Sequence, residues 1–300
     1  MTIRKEAPVR LSFVYFVERP YGRIAETEKG KKFRQKQLAF AKKIFQLLDR
    51  NNIPRTIFII GDYLKRCLEK FSPEHLRKIY NPDNPLNDLQ SHTYSHLFLV
   101  KPLEVESRPL ISPDKFKEDI KKANKVFWQI LKIKPKGLSL PLGYPTDMAD
   151  VPSFLRVLQG MEFLFVCSHT RSKKEPLFAP LTLERQPHVY NDFPGLVEIP
   201  THGWQDVIFT REKSKQFLQR EPDKKEKILE HFRKLLLKAQ SLSRLSQQGQ
   251  PIYVGLPLHI WAVMEYDKEL EIHTAVIKMA RKLKMKIMSF SHVAEEILNR

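Results

Sequence analysis

No stretch of the 300 residues approaches the roughly 20 consecutive apolar residues of a membrane-spanning helix, so a helical membrane protein is excluded. Residues 1–10, MTIRKEAPVR, lack the apolar core of a secretory leader, and a cytoplasmic location is the expectation. Cysteine is scarce. Cys67 and Cys167 show neither the spacing of a disulfide framework nor that of a metal-binding pair, and read as two buried thiols in a reducing compartment. There is no internal repeat and no linker long enough to divide the chain, so a single domain over 1–300 is expected. Acidic residues are in deficit, 34 against 52 Lys and Arg, for a net charge of +18. Such a charge attracts anions, including acidic polymers. It equally describes a lysine-rich solvated surface, because the basic residues are dispersed and no nucleic-acid-binding motif accompanies them.

A hydrophobic fraction of 42% suffices for a sizeable core. Residues 9–17, VRLSFVYFV, read as a buried first strand. A helix follows over 31–52, with Phe33, Ala41, Ile44 and Leu48 on one stripe and Pro54 just past its end. Residues 56–60 form a second strand, apolar on both faces as in a parallel sheet. Helical stretches over 62–70 and 73–79 lead to a third strand over 87–91. Ser112-Pro113 opens a helix whose stripe is Phe116, Ile120, Ala123, Phe127 and Ile130. Further strands are expected at 137–140, 163–167, 197–200, 252–256 and 286–290, and helices at 151–159, 222–245 and 270–283. Residues 169–195, rich in proline and basic residues, read as a long surface loop. Ser291 is expected to cap a terminal helix. Strands alternating with helices imply a mostly parallel sheet, and seven or eight such units can close as a barrel.

The chain's densest chemistry lies at Ser91-His92-Thr93-Tyr94-Ser95-His96. Two histidines four residues apart share one face of a helical turn, the spacing by which paired imidazoles hold one metal ion. Taken with its flanking serines and threonine, this stretch resembles the metal motif of the polysaccharide deacetylases, the NodB-homology group also known as carbohydrate esterase family 4. The resemblance runs from about Arg10 to the C-terminus. It implies an α/β fold, a distorted, incomplete (β/α) barrel of seven or eight strands, with its site at the C-terminal strand ends. It further implies a divalent metal, with zinc the expectation, and an acetylated sugar or polysaccharide as partner.

In that family the first strand ends in a base aspartate and an acidic metal ligand. Here Phe16 stands at the base position and Glu18 at that of the third ligand. Glu18 reads equally well as a carboxylate paired with Arg19 or Lys5. A phenyl ring cannot accept a proton, so general-base catalysis from position 16 is absent. The arginine that orients the base is replaced by Ser139 in Gly137-Leu-Ser-Leu-Pro-Leu-Gly-Tyr144, with Pro141 kept and Tyr144 a candidate substrate contact. In Ile199-Pro-Thr-His-Gly-Trp-Gln-Asp206, Trp204 matches an apolar wall and Asp206 an acid that orients a histidine. Trp204 is as readily an ordinary core residue. In Val254-Gly-Leu-Pro-Leu-His-Ile-Trp261, His259 matches the general acid, with Leu258 and Trp261 lining a pocket and His202 a substitute. The resemblance therefore implies an amide hydrolase of N-acetylated sugars weakened by loss of its base. A non-catalytic barrel that binds a glycan or protein, and a binder of anionic polymers, are the alternatives.

Overall fold

A computed structural model of the chain describes residues 7–20, 22–99, 110–210, 225–246 and 249–300. In chain order the elements are β1 (Val9–Val17), α1 (Glu28–Arg50), β2 (Arg55–Ile59), α2 (Gly61–Cys67), α3 (Pro73–Tyr80), β3 (Asn87–Ser91), α4 (Pro113–Leu131), β4 (Gly137–Tyr144) and α5 (Pro152–Gly160). There follow β5 (Phe165–His169), β6 (Phe178–Ala179), β7 (His188–Tyr190), β8 (Phe193–Glu198), β9 (Gly203–Trp204), α6 (Lys225–Leu245) and β10 (Ile252–His259). The chain closes with α7 (Ile260–Tyr266), α8 (Glu271–Lys282), β11 (Lys286–Ile287) and α9 (Phe290–Leu298).

The sheet runs β10-β1-β2-β3-β4-β5-β8-β7, with β11 beside β1. All of these pairings are parallel except β7 on β8. The incomplete barrel implied by the resemblance is thus present. Its open seam falls between the β7–β8 hairpin and β10, which hydrogen bonds cross without a ladder. His202 N donates to Gly255 O at 2.8 Å, and Tyr253 N donates to Gln186 Oε1 at 2.8 Å.

Side chains alternate across each strand, so one sheet has two buried faces. Leu11, Phe13, Tyr15 and Val17 of β1 face outward onto Leu38, Ala41, Ile44 and Leu48 of α1. Val14 and Phe16 face the lumen with Phe58, Phe165, Cys167, Val197 and Tyr253. Phe290 of α9 closes the lumen floor, its ring 6.2 Å from Phe58 and 6.1 Å from Phe165. A third cluster packs α4 and α5 over β4 through Phe116, Ile120, Leu138, Leu140, Leu155 and Leu158. No helix among the described residues is long and apolar enough to cross a membrane.

Two expectations are corrected here. Residues 169–195 are not a surface loop. They contain β6 and β7, and Leu177, Ala179, Leu181, Arg185 and Tyr190 are buried. Prolines break the periodicity of the segment, while β7 and β8 form a hairpin across Asn191-Asp192, a turn pair that the sequence does show. The terminal helix is capped by Ser289, whose side chain accepts from His292 N. Ser291 lies inside α9 and donates to Asp88. The N-terminal end of the expected 222–245 helix, residues 222–224, lies outside the described residues.

Candidate metal centre and its surroundings

His92 and His96 are brought together by a tight turn rather than by a turn of helix, which corrects the sequence expectation. Thr93 (φ 61°) and His96 (φ 56°) adopt the left-handed conformation, uncommon for residues with a Cβ. The surroundings over-determine that turn. Gly61 N and Asp62 N, at the start of α2, donate to Thr93 O and Tyr94 O at 3.0 and 3.1 Å. A Cβ at Gly61 would meet the Tyr94 ring at 2.8 Å, so a side chain there would force the turn away. From the other side the Asp119 carboxylate, on α4, accepts from Tyr94 N at 2.7 Å and from Ser95 N at 3.2 Å. The sequence reading missed Asp119. Its signal was available: position 119 falls on the buried stripe of Phe116, Ile120 and Ala123, where a carboxylate stands only with hydrogen-bond partners.

His92 Nδ1 donates to Ser139 O at 3.0 Å, which fixes the tautomer and leaves Nε2 as the free ligating atom. Burial holds the His92 imidazole below its ordinary pKa, in the neutral form that ligates metal. Glu18, buried just past β1, directs one oxygen at His96 Nε2 (3.2 Å) and His92 Nε2 (3.6 Å). It is no surface carboxylate. Lys5 lies outside the described residues, and Arg19 turns to Trp261 instead. The ligand atoms of Glu18, His92 and His96 all lie within 4.8 Å of one another. Burial pushes the Glu18 carboxyl upward, but charge on His259 and the adjoining His92 and His96 imidazoles outweigh it and hold it well below the usual range. An ionised carboxylate with two imidazoles is a donor set that fits zinc with a position left open.

His259 ends β10 and faces the same space. Its Nδ1 donates to Asp206 Oδ1 at 2.6 Å, its backbone N to Asp206 Oδ2 at 2.7 Å, and its Nε2 lies 3.8 Å from Glu18 Oε1. Burial pushes the His259 imidazole down, but the Asp206 and Glu18 carboxylates prevail and raise it above its ordinary value. Burial raises the Asp206 carboxyl in turn. Trp261 Nε1 donates a long hydrogen bond of 3.4 Å to Glu18 Oε1.

Phe16 fills the place where a base carboxylate would stand. Its ring centre lies 4.9 Å from His259, 5.3 Å from His92 and 5.6 Å from Phe58. Ser139 is equally enclosed, its hydroxyl donating to Cys167 O at 3.3 Å. Two residues earlier on the same face, a Cβ at Gly137 would meet the Phe165 ring at 2.0 Å. Aromatic rings thus occupy the lumen beneath the cluster.

Four further residues are placed away from the cluster. Leu258, one residue before His259, faces the outer helix layer because the strand alternates. Tyr144 is core, its hydroxyl accepting from Leu99 N at 3.1 Å. Trp204 packs on Phe178 at 5.0 Å and lines an external groove with Glu230 and His231. His202 Nε2 donates to Arg185 O at 2.8 Å and its Nδ1 accepts from Gly255 N at 3.3 Å. With burial pushing it down to about 3, His202 is a neutral seam residue.

Residues 33–153 match the family model of the polysaccharide deacetylases, which bears out the resemblance read from Ser91–His96. Among solved structures, the fold is shared with a protein assigned as a polysaccharide deacetylase from Mycobacterium smegmatis. That pair has 15% identity and a TM-score of 0.61, over 99% of this chain and 92% of the other. A Puue allantoinase gives 13% identity and a TM-score of 0.63, over 97% and 91%. A GH57-type branching enzyme from Pyrococcus horikoshii gives 14% identity and a TM-score of 0.61, over 97% and 70%. At these identities the likeness concerns the fold, which evidently hosts several chemistries. No curated protein sequence matches the chain.

Proposed function

We propose that this chain is a metal-dependent hydrolase of the polysaccharide deacetylase type, acting on an acetylated sugar, with turnover sharply reduced by the loss of its base. The observation that carries the reading is the convergence of Glu18, His92 and His96 beside the Asp206–His259 pair at one end of the lumen. A zinc ion held by the triad would serve as a Lewis acid toward the acyl carbonyl. His259 is oriented by Asp206 so that its Nε2 faces the cluster, placed to give a proton to the departing sugar nitrogen. Trp261 walls the site beside Glu18. Phe16 contributes no proton transfer, and the absence of a positioned base costs about 10²–10⁴-fold in rate.

The test is acetate release from N-acetylated chito-oligosaccharides by zinc-loaded protein, wild type against Phe16→Asp. A rise of about 10²-fold or more is expected, from a carboxylate placed between His92 and His259. Adding Ser139→Arg completes the family's pair but must displace the enclosing rings, so its gain is expected to be smaller than that of Phe16→Asp alone. No gain from Phe16→Asp in a zinc-loaded protein would favour the second reading, a non-catalytic barrel that binds glycan or protein. That reading is supported by the Phe16 ring itself, which already fills the catalytic space between two histidines.

A further inference from the structure

Arg19 directly follows Glu18, yet the two do not pair. The Glu18 oxygens are taken up by the Nε2 atoms of His92, His96 and His259 and by Trp261 Nε1. The Arg19 guanidinium instead lies over the Trp261 ring, its central carbon 3.9 Å from the ring centre. Its Nε is buried without a hydrogen-bond partner, and it forms no ion pair among the described residues. Several other partly or fully buried arginines are matched by carboxylates, although buried Arg185 forms no ion pair among the described residues. Arg34 pairs with Glu69 at 2.8 Å, Arg55 with Asp49 at 2.7 Å, and Arg66 with Asp62 at 2.7 Å.

An unmatched cation beside a metal cluster calls for an explanation. A divalent ion on Glu18, His92 and His96 would leave a charge of +1 there, and Arg19 adds another. Asp206 is the nearby carboxylate, and it is committed to His259. The loaded site would therefore be cationic, with a guanidinium held over the Trp261 face. A guanidinium fork is shaped for bidentate recognition of a carboxylate, and stacking removes much of the entropy that the side chain would lose on binding.

We infer that Arg19, laid on Trp261, binds a carboxylate carried by the substrate next to its acyl group, so that the site takes an acidic acylated sugar in preference to a neutral one. This deepens the deacetylase reading and rests on it. Trp261 acts twice, with its indole edge on Glu18 and its face on Arg19, and so fixes the carboxylate site relative to the metal cluster.

The experiment is calorimetric titration of zinc-loaded protein with N-acetylglucosamine and with two acids built on it, its C6 uronate and its O3 lactyl ether. At least one acid is expected to bind about tenfold tighter than the neutral sugar. That preference should vanish in Arg19→Met and persist in part in Arg19→Lys, with urea midpoints confirming that both variants fold. Equal binding of all three sugars, no binding of either acid, or an acid preference that survives Arg19→Met overturns the inference. Zinc content measured on the same samples separates the two readings. If wild type takes up no zinc, the deacetylase reading falls, and the acid preference of the metal-free protein still decides the role of Arg19.

Discussion

Two buried aspartate–histidine pairs stand on opposite faces of the same barrel wall. Asp206 holds His259 Nδ1 at 2.6 Å on the lumen side, and Asp267 holds His273 Nδ1 at 2.7 Å under the outer helices. As pairs they are nearly identical. They differ in what the second imidazole nitrogen meets. His259 Nε2 faces the Glu18 carboxylate, which it shares with His92 and His96. The His273 ring stacks on Tyr15 at 6.0 Å, and its unpartnered Nε2 belongs to a ring that lines a small apolar cavity with Phe13, Leu256 and Leu258. Asp267 also accepts from Ile272 N and His273 N, which makes it a cap for the first turn of α8. A histidine oriented by a carboxylate is therefore not in itself a catalytic signature. The open end of the imidazole decides.

That contrast can be broken at several points. The largest effect is expected from removing the ligands that give His259 its neighbours. His92→Ala/His96→Ala should take zinc content, by elemental analysis, from about one per chain to none. Replacing the two paired histidines should then separate chemistry from stability. His259→Ala in a Phe16→Asp background is expected to lower acetate release by about 10²-fold. His273→Ala leaves Asp267 buried without its imidazole and should lower unfolding free energy by about 3–5 kcal/mol in urea, with zinc content unchanged. A His273→Ala variant that lost zinc would show that the two sides of the wall are coupled.

Smaller effects sharpen the picture. Asp119→Asn keeps the shape but weakens the two backbone contacts that hold the histidine turn. Zinc affinity should fall about tenfold in a competition titration with a chelating dye. The sign of the pH response follows from His202, buried and neutral with its pKa near 3. The unfolded chain protonates this residue below about 6.5, whereas the native chain stays neutral until about 3. Stability is therefore full above about 6.5 and falls as the pH drops, by about 1.4 kcal/mol per unit from this residue. His169 and His231, each pushed down to about 4 by burial, add with the same sign. Urea midpoints at pH 7.5, 5.5 and 4.5 should fall in that order, with a shallower slope in His202→Gln.

The parallel strands were legible because buried apolar runs and the helix stripes between them carry their own periodicity. The Ser112 cap with Pro113 stands where it was read. The hairpin at 188–198 was not legible, since Pro187 before it and Pro194 within it conceal the alternation and its partner is the strand next in sequence rather than a βα unit. Within the site, the positions of Glu18, His92, His96, His259 and Trp261 followed from motif order. Tyr144, Leu258 and Trp204 did not come with them, because a motif gives proximity along the chain but not which face of a strand a side chain takes.

The sequence alone determined the period of the parallel strands and of the helices between them, the chemistry available at each motif, and the plain fact that position 16 cannot take a proton. Only the tertiary structure decided which of those groups meet. Glu18 reaches His96 across 78 positions, Asp206 meets His259 across 53, and Asp119 pins the histidine turn from a separate helix. The reason is physical. Each of these groups is buried, and a buried polar group is defined by the partner that compensates its lost hydration. That partner is chosen by the packing of the whole barrel and is not written beside the residue that needs it.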